Sequence, residues 1–166
     1  MGALDSTIRI EGCRPGAVGA VARMHGEYYA RHWGFGPVFE CKVARELADL
    51  VERGDTVRDG FWIADDGTGI VGSVAIDGQA AASEGARLRF FLVDEARQGR
   101  GIGHRLLDRA LEFCERAGHD RVFLWTFAGL DAARALYVSR GFRLLDEHAD
   151  TQWGTSVSEQ KFVRER

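Results

Sequence analysis

The sequence offers few cysteines, no surplus of positive charge and no long apolar run, and each shortage closes off a class of function. Its three cysteines, Cys13, Cys41 and Cys114, are odd in number and far apart. They make no C-x-x-C pair and no metal-ligand spacing, so no metal is expected. Reduced thiols of this kind point to the cytoplasm. The formal net charge is -3, which leaves no broad positive field to hold nucleic acid or an anionic membrane. The opening residues Met1 to Ser6 do not set a basic segment before an apolar one, so no secretory signal is expected. The apolar runs fall far short of the roughly 20 residues of a membrane helix. Neither nucleic acid nor membrane is therefore an expected partner.

What is present is the material of an ordinary globular domain. Of 166 residues, 45% are apolar and 28% charged, enough for one core and one domain over 1–166. No repeat, linker or low-complexity tract interrupts it. Thr7 to Glu11 alternates polar and apolar, as a short strand does. Pro15 is placed to open a helix running from Ala17 to His32. Gly34-Phe35-Gly36-Pro37 breaks it, and a second helix fits Phe39 to Val51 with Val43, Leu47 and Leu50 on one face. Phe61 to Ala64 and Ile70 to Ile76 flank the hairpin signal Asp65-Asp66-Gly67-Thr68-Gly69. Gly78 to Gly85 reads as a loop, and Leu88 to Val93 as a buried central strand. A helix from Ile102 to Ala117 carries a clear apolar stripe and ends at Gly118. Val122 to Phe127 is a strand, Asp131 to Arg140 a helix closed by Gly141, and Phe142 to Leu145 and Val157 to Val163 the last two strands. The order β-α-α-β-β-β-α-β-α-β-β predicts an α/β (α+β) fold, a mixed sheet with helices packed on it.

The chemistry concentrates in Leu92 to Leu107. A buried strand feeds a loop with glycines at 99, 101 and 103, and the loop feeds a helix. Glycine lets the backbone turn its N–H groups outward. A helix start adds unpaired N–H groups and partial positive charge, which suits phosphate. Arg97, Arg100 and Arg105 add charge nearby. The loop is no P-loop, because His104-Arg105 stand where Gly-Lys-Ser/Thr would follow. It is no dinucleotide fingerprint either, since its spacing is G-x-G-x-G.

The remaining match is Q/R-x-x-G-x-G/A, read as Gln98-x-x-Gly101-x-Gly103. It resembles the pyrophosphate loop of the GNAT superfamily of N-acetyltransferases. Downstream, Ala133 to Phe142 is similar to the GNAT pattern A-x-x-L-Y-x-x-x-G-F, one helix and one strand later. Leu130 occupies the place where that pattern often has Asn, so no polar contact to the cofactor comes from that side chain. Arg14-Pro15-Gly16, Arg23-Met24-His25-Gly26, Tyr28-Tyr29-Ala30, Leu124-Trp125-Thr126 and Ala132-Ala133-Arg134 further resemble GNAT domains fused behind winged-helix regulators of the multiple-antibiotic-resistance type. Within these 166 residues no DNA-binding half is expected. The resemblance implies a GNAT fold, a mixed, mostly antiparallel sheet of six to seven strands flanked by four helices.

It also implies an acetyl group moved from acetyl-CoA to an amine by direct attack in a ternary complex. The amine must first lose a proton, since a free alkylamine has a pKa of about 10.4. The departing thiolate needs an acid, and the resemblance assigns Tyr137. It assigns cofactor contacts to Leu92, Val93, Gln98, Gly99, Arg100, Gly101, Ile102, Gly103, His104 and Arg134, with a backbone N–H of the strand ending at Val93 for the oxyanion. Glu27 is the candidate base, ahead of His25 and His32, with water as a further relay. His25, Tyr28, Tyr29 and His32 are spaced to share a helix face. With Trp33, Phe35, Trp125 and Trp153 they are candidate walls of the acceptor site. A non-catalytic acyl-CoA sensor and a protein N-terminal acetyltransferase stay open as alternatives, as does a homodimer.

Overall fold

The structure, a computed structural model, describes residues 8–151 and 155–166. Thr7 and Trp153, with the opening residues Met1 to Ser6, lie outside the described residues. The chain forms β1 (Arg9–Gly12), α1 (Ala17–Trp33), α2 (Pro37–Arg53), β2 (Gly60–Asp65), β3 (Ile70–Asp77), β4 (Ala86–Val93), a 3-10 turn at Glu95–Arg97, α3 (Ile102–Ala117), β5 (Arg121–Phe127), α4 (Asp131–Ser139), β6 (Arg143–Asp150) and β7 (Val157–Glu165). The strands make one sheet in the order β1-β2-β3-β4-β5-β7-β6. Every pair is antiparallel except β4 with β5. This is the fold expected from the resemblance. Among the described residues no helix is long and apolar enough to cross a membrane.

The differences from the sequence reading have local causes. Pro37 opens α2 instead of breaking the chain, because a proline at the first helical position forfeits no intrahelical bond. Pro15 lies in the turn ahead of α1, which begins at Ala17. Strand β6 runs on to Asp150, five residues past Leu145. It is an edge strand, mostly exposed, so its polar second half carries no apolar alternation to read.

Helices cover both faces. On one, Leu106, Leu107 and Ala110 of α3 pack without exposure against Val74, Ile76, Leu88 and Leu124. Truncating such a leucine to alanine costs about 2–5 kcal/mol. On the other, Val21 of α1 and Leu47 and Leu50 of α2 cover Phe61, Ile63 and Ala75. Arg53 fastens α2 to the sheet by ion pairs to Asp59 (2.8 Å) and Asp77 (2.9 Å).

Strand β4 departs from regular pairing on both of its edges. It is laddered to β5 only through Ala86↔Val122 and Arg87↔Phe123, after which the strands part. Its register with β3 also jumps, with Ser73 opposite Leu92 but Ala75 opposite Arg89, so Phe90 and Phe91 share the single partner Val74. The extra residue is a β-bulge, and Phe90 adopts φ 52° within it. The outer half of β4 is thereby half-exposed, where a central strand buried on both faces was expected.

Candidate active site

The parted strands open a cavity of about 850 Å3. Leu88 to Val93 and Leu124 to Phe127 form its sides, the loop into α3 and the start of α4 its upper end, and α1 and α2 its cover.

The glycine loop sits at the C-terminal end of β4. Gly99 (φ 82°) and Gly101 (φ 77°) are left-handed, a conformation that glycine takes without strain. Gly101 precedes α3, and no side chain caps that helix. Its first N–H groups therefore remain free to bind an anion, helped by the helix dipole. At Gly103 a side chain would begin 3.4 Å from Leu136 and 3.5 Å from Phe91, so α3 starts in close approach to α4 and β4. The donor set fits a pyrophosphate held by backbone.

The loop is braced by its own charged residues. Arg97 donates to Asp66 (3.0 Å), Asp94 (2.9 Å) and Thr68 (3.3 Å), tying the loop to the β2–β3 hairpin. Bonds from Thr68, with Arg97 beside it, hold the Asp66 carboxyl down to about 2. Gln98 donates to the Val93 carbonyl (3.2 Å) and Arg105 to the Ile8 carbonyl (2.9 Å). Of the three arginines expected to draw phosphate, Arg97 and Arg105 are thus spent on scaffolding. Arg100 is exposed and does not line the cavity.

Tyr137 lies on α4, buried, and its ring is gripped by Phe91 and Phe142 (both 5.8 Å between ring centres) and Phe162 (6.2 Å). It lines the cavity. Burial pushes its phenol far above the ordinary value, and Tyr29 adds to the rise, so it keeps its proton at any working pH.

His25, Tyr28, Tyr29 and Trp125 also reach the cavity. His25 is buried, and its Nδ1–H donates to the Val21 carbonyl (2.8 Å), since a carbonyl only accepts. Burial holds its imidazole down to about 4 against a smaller upward pull from that bond. Tyr29 meets Phe35 (5.9 Å), Phe39 (4.8 Å) and Phe127 (5.7 Å), an aromatic wall between α1 and β5.

Other sequence candidates fall elsewhere. Glu27 is exposed on the outer side of α1, paired with Arg23 (3.4 Å), and does not line the cavity. His32 turns to Glu95 in the 3-10 turn. Trp33 packs on Phe127 and Phe35 and against Gly129, beneath the β5–α4 connection instead of facing the cavity. Arg134 is exposed and stacks over Phe162 (5.8 Å), outside the cavity lining. Conversely, Arg87, Glu46 and Glu159 line the cavity and escaped the sequence reading. The alternation Arg87-Leu88-Arg89 was the available signal, because it marks a strand with one polar face. His148, Asp150 and Glu159 bring ligand-type atoms within 4.8 Å of one another at the β6–β7 edge, with no further sign of a cation.

Comparison with known proteins agrees with this layout. The model of the acetyltransferase (GNAT) family matches residues 21–142. The chain is 38% identical over 111 residues to a mycothiol acetyltransferase of Beutenbergia cavernae, a match covering 64% of this chain and 37% of that protein. It is 29% identical over 112 residues to human N-acetyltransferase 8, covering 66% of this chain and 48% of that one. The chain thus spans less than half the length of either relative. Among solved structures, a GNAT-family acetyltransferase from Staphylococcus aureus Mu50 superposes with a TM-score of 0.75 at 16% identity, over 96% of this chain and 99% of that one. The protein yncA from Salmonella typhimurium, solved with its cofactor acetyl-CoA, gives 0.73 at 14% identity, over 95% and 93%. Both share the fold. The family match runs from within α1 to the residue before β6, taking in both walls of the cleft, and on it the chain belongs to the acetyltransferase (GNAT) family.

Proposed function

We propose that the chain, acting as one domain over 1–166, moves an acetyl group from acetyl-CoA to a primary amine of a small molecule or peptide by direct attack. The observation that carries this reading is the parting of β4 from β5 beside an uncapped helix start, with a protonated tyrosine buried in the gap. Phosphates seat on the backbone N–H groups at Gly101 to His104, and the thioester arm lies between the strands. The neutral amine attacks the thioester carbonyl carbon. The oxyanion is met by a backbone N–H freed at the β4 bulge, where the ladder to β3 is interrupted. As the C–S bond breaks, the thiolate takes the Tyr137 hydroxyl proton. The nitrogen's surplus proton leaves through water, because Glu27 is remote and His25 takes a proton only at about pH 4 and below, and water returns a proton to the Tyr137 phenolate. No covalent enzyme intermediate is needed.

The experiment is thiol release from acetyl-CoA across a panel of amines, with the acetylated amine counted by mass spectrometry. Amine-dependent release with one acetyl amide per thiol is expected. Tight CoA binding without amine-dependent release from any member would overturn transfer in favour of a sensor.

A further inference from the structure

Arg87 is the second residue of β4 and sits at its last laddered position with β5, at the floor of the fork. Its neighbour Leu88 points into the core beneath α3, so Arg87 and Arg89 share the opposite face, under α2. Arg89 is neutralised there by Glu46 of α2 and by Asp77 (3.2 Å). Arg87 is not. It forms no ion pair among the described residues, and its Nε is buried with no hydrogen-bond partner. Glu46, Asp77 and Glu159 stand near enough to favour its charge, but burial first and then the adjacent Arg89 outweigh them and pull its pKa down. The residue as a whole is half-buried where it lines the cavity, and a guanidinium there with no ion pair and an unpartnered Nε is a donor for an anion from outside.

The phosphates of the acetyl donor do not supply it. Arg87 stands six residues before Val93 on an extended strand, roughly 20 Å from the glycine loop. The anion has to arrive with the other substrate. We propose that Arg87 binds an anionic group of the acceptor, so that the acceptor is an amine that also carries a carboxylate or similar oxyanion, as an amino acid does. A guanidinium offers a planar pair of donors that matches a carboxylate's two oxygens. Trp125, on the neighbouring strand, lines the same cavity and gives the rest of such a molecule an apolar wall. Polyamines, cationic throughout, are disfavoured by the same residue.

This inference rests on the acetyl-transfer reading for the amine's role, but binding tests it separately. Amino acids, their methyl esters and spermidine are titrated by calorimetry into the protein saturated with CoA, which permits no transfer, for wild type, Arg87→Gln and Arg87→Lys. At least one free acid should bind wild type at least 10-fold more tightly than its ester. That ratio should fall to about one in Arg87→Gln and lie between in Arg87→Lys. The melting temperature of Arg87→Gln should hold or rise, because a half-buried charge without an ion pair is removed, whereas a merely structural arginine would lower it. Esters or spermidine binding as well as the acids, no acid binding at all, or an acid-to-ester ratio unmoved by Arg87→Gln would each overturn the assignment. Acids that bind through Arg87 but are never acetylated would leave it standing and sink the transfer reading instead.

Discussion

Ser73 Oγ donates a 2.6 Å hydrogen bond to the carbonyl oxygen of Phe90, and Phe90 is, among the described residues, the one residue other than glycine with a left-handed backbone. That conformation costs a non-glycine residue about 1–2 kcal/mol. Ser73, on β3 and fully buried, helps to hold it from across the bulge. Ser73→Ala should therefore lower stability by about 1–2 kcal/mol, the cost of unpairing a buried acceptor. It should also lower kcat on the order of 10-fold, short of the 10²–10³-fold of losing an oxyanion donor outright. Urea unfolding and steady-state thiol release on one preparation check both. Full turnover in Ser73→Ala would show that the bulge needs no such brace.

Tyr137→Phe keeps the ring among Phe91, Phe142 and Phe162 and removes only the hydroxyl. Turnover should drop on the order of 10²-fold or more, the range for a positioned acid. The acetyl-CoA affinity and melting temperature should barely move. Near wild-type kcat would leave the tyrosine as packing.

At Gly101 backbone sign matters more than size, since among the described residues nothing stands within 4 Å of a Cβ added there. Gly101→Asn should keep most CoA affinity, because asparagine tolerates the left-handed region, while Gly101→Val should weaken it on the order of 100-fold, about 2.7 kcal/mol. Gly103→Glu should abolish binding by crowding Leu136 and Phe91 and by repelling phosphate. Calorimetry decides, and equal affinities for Asn and Val at 101 would refute the backbone argument.

His25 gives stability a pH dependence of definite sign. Its folded value, about 4, lies below the free value of 6.5, so the unfolded chain binds the extra proton. The neutral ring's contribution is present in full above pH 6.5 and drains away between 6.5 and 4, about 3 kcal/mol in all. Urea midpoints should fall over that window in wild type and fall less in His25→Phe. Identical slopes in the two proteins would count against a neutral buried ring.

The fold was legible because its signals are local. The stripe on Ile102 to Cys114, the hairpin at Asp65 to Gly69 and the glycine at 118 each fix an element from a few residues. The glycine loop between β4 and α3 was legible for the same reason. The remaining site was harder, because neighbours in sequence do not share a destination. On α1, Tyr28 and Tyr29 meet the cavity, whereas Glu27 faces solvent and His32 turns to Glu95. A shared helical face says what can meet, and the tertiary partner decides which wall it becomes. Arg87 was overlooked because the apolar run Phe90 to Val93 drew the reading of β4 toward burial, while the parting from β5 that exposes its polar face depends on residues over thirty positions away.

The interrupted ladder between β4 and β5 has a mechanical consequence. On either side of it the strands are laced along most of their length, but at this seam two laddered positions hold together a four-stranded leaf and a three-stranded one. Among the described residues the facing backbone edges beyond those two positions have no strand partners. Helix α3 bridges the gap as the connection from β4 to β5. A molecule lying in the seam and hydrogen-bonding to both edges would do the work of an absent strand, so rigidity would rise with occupancy.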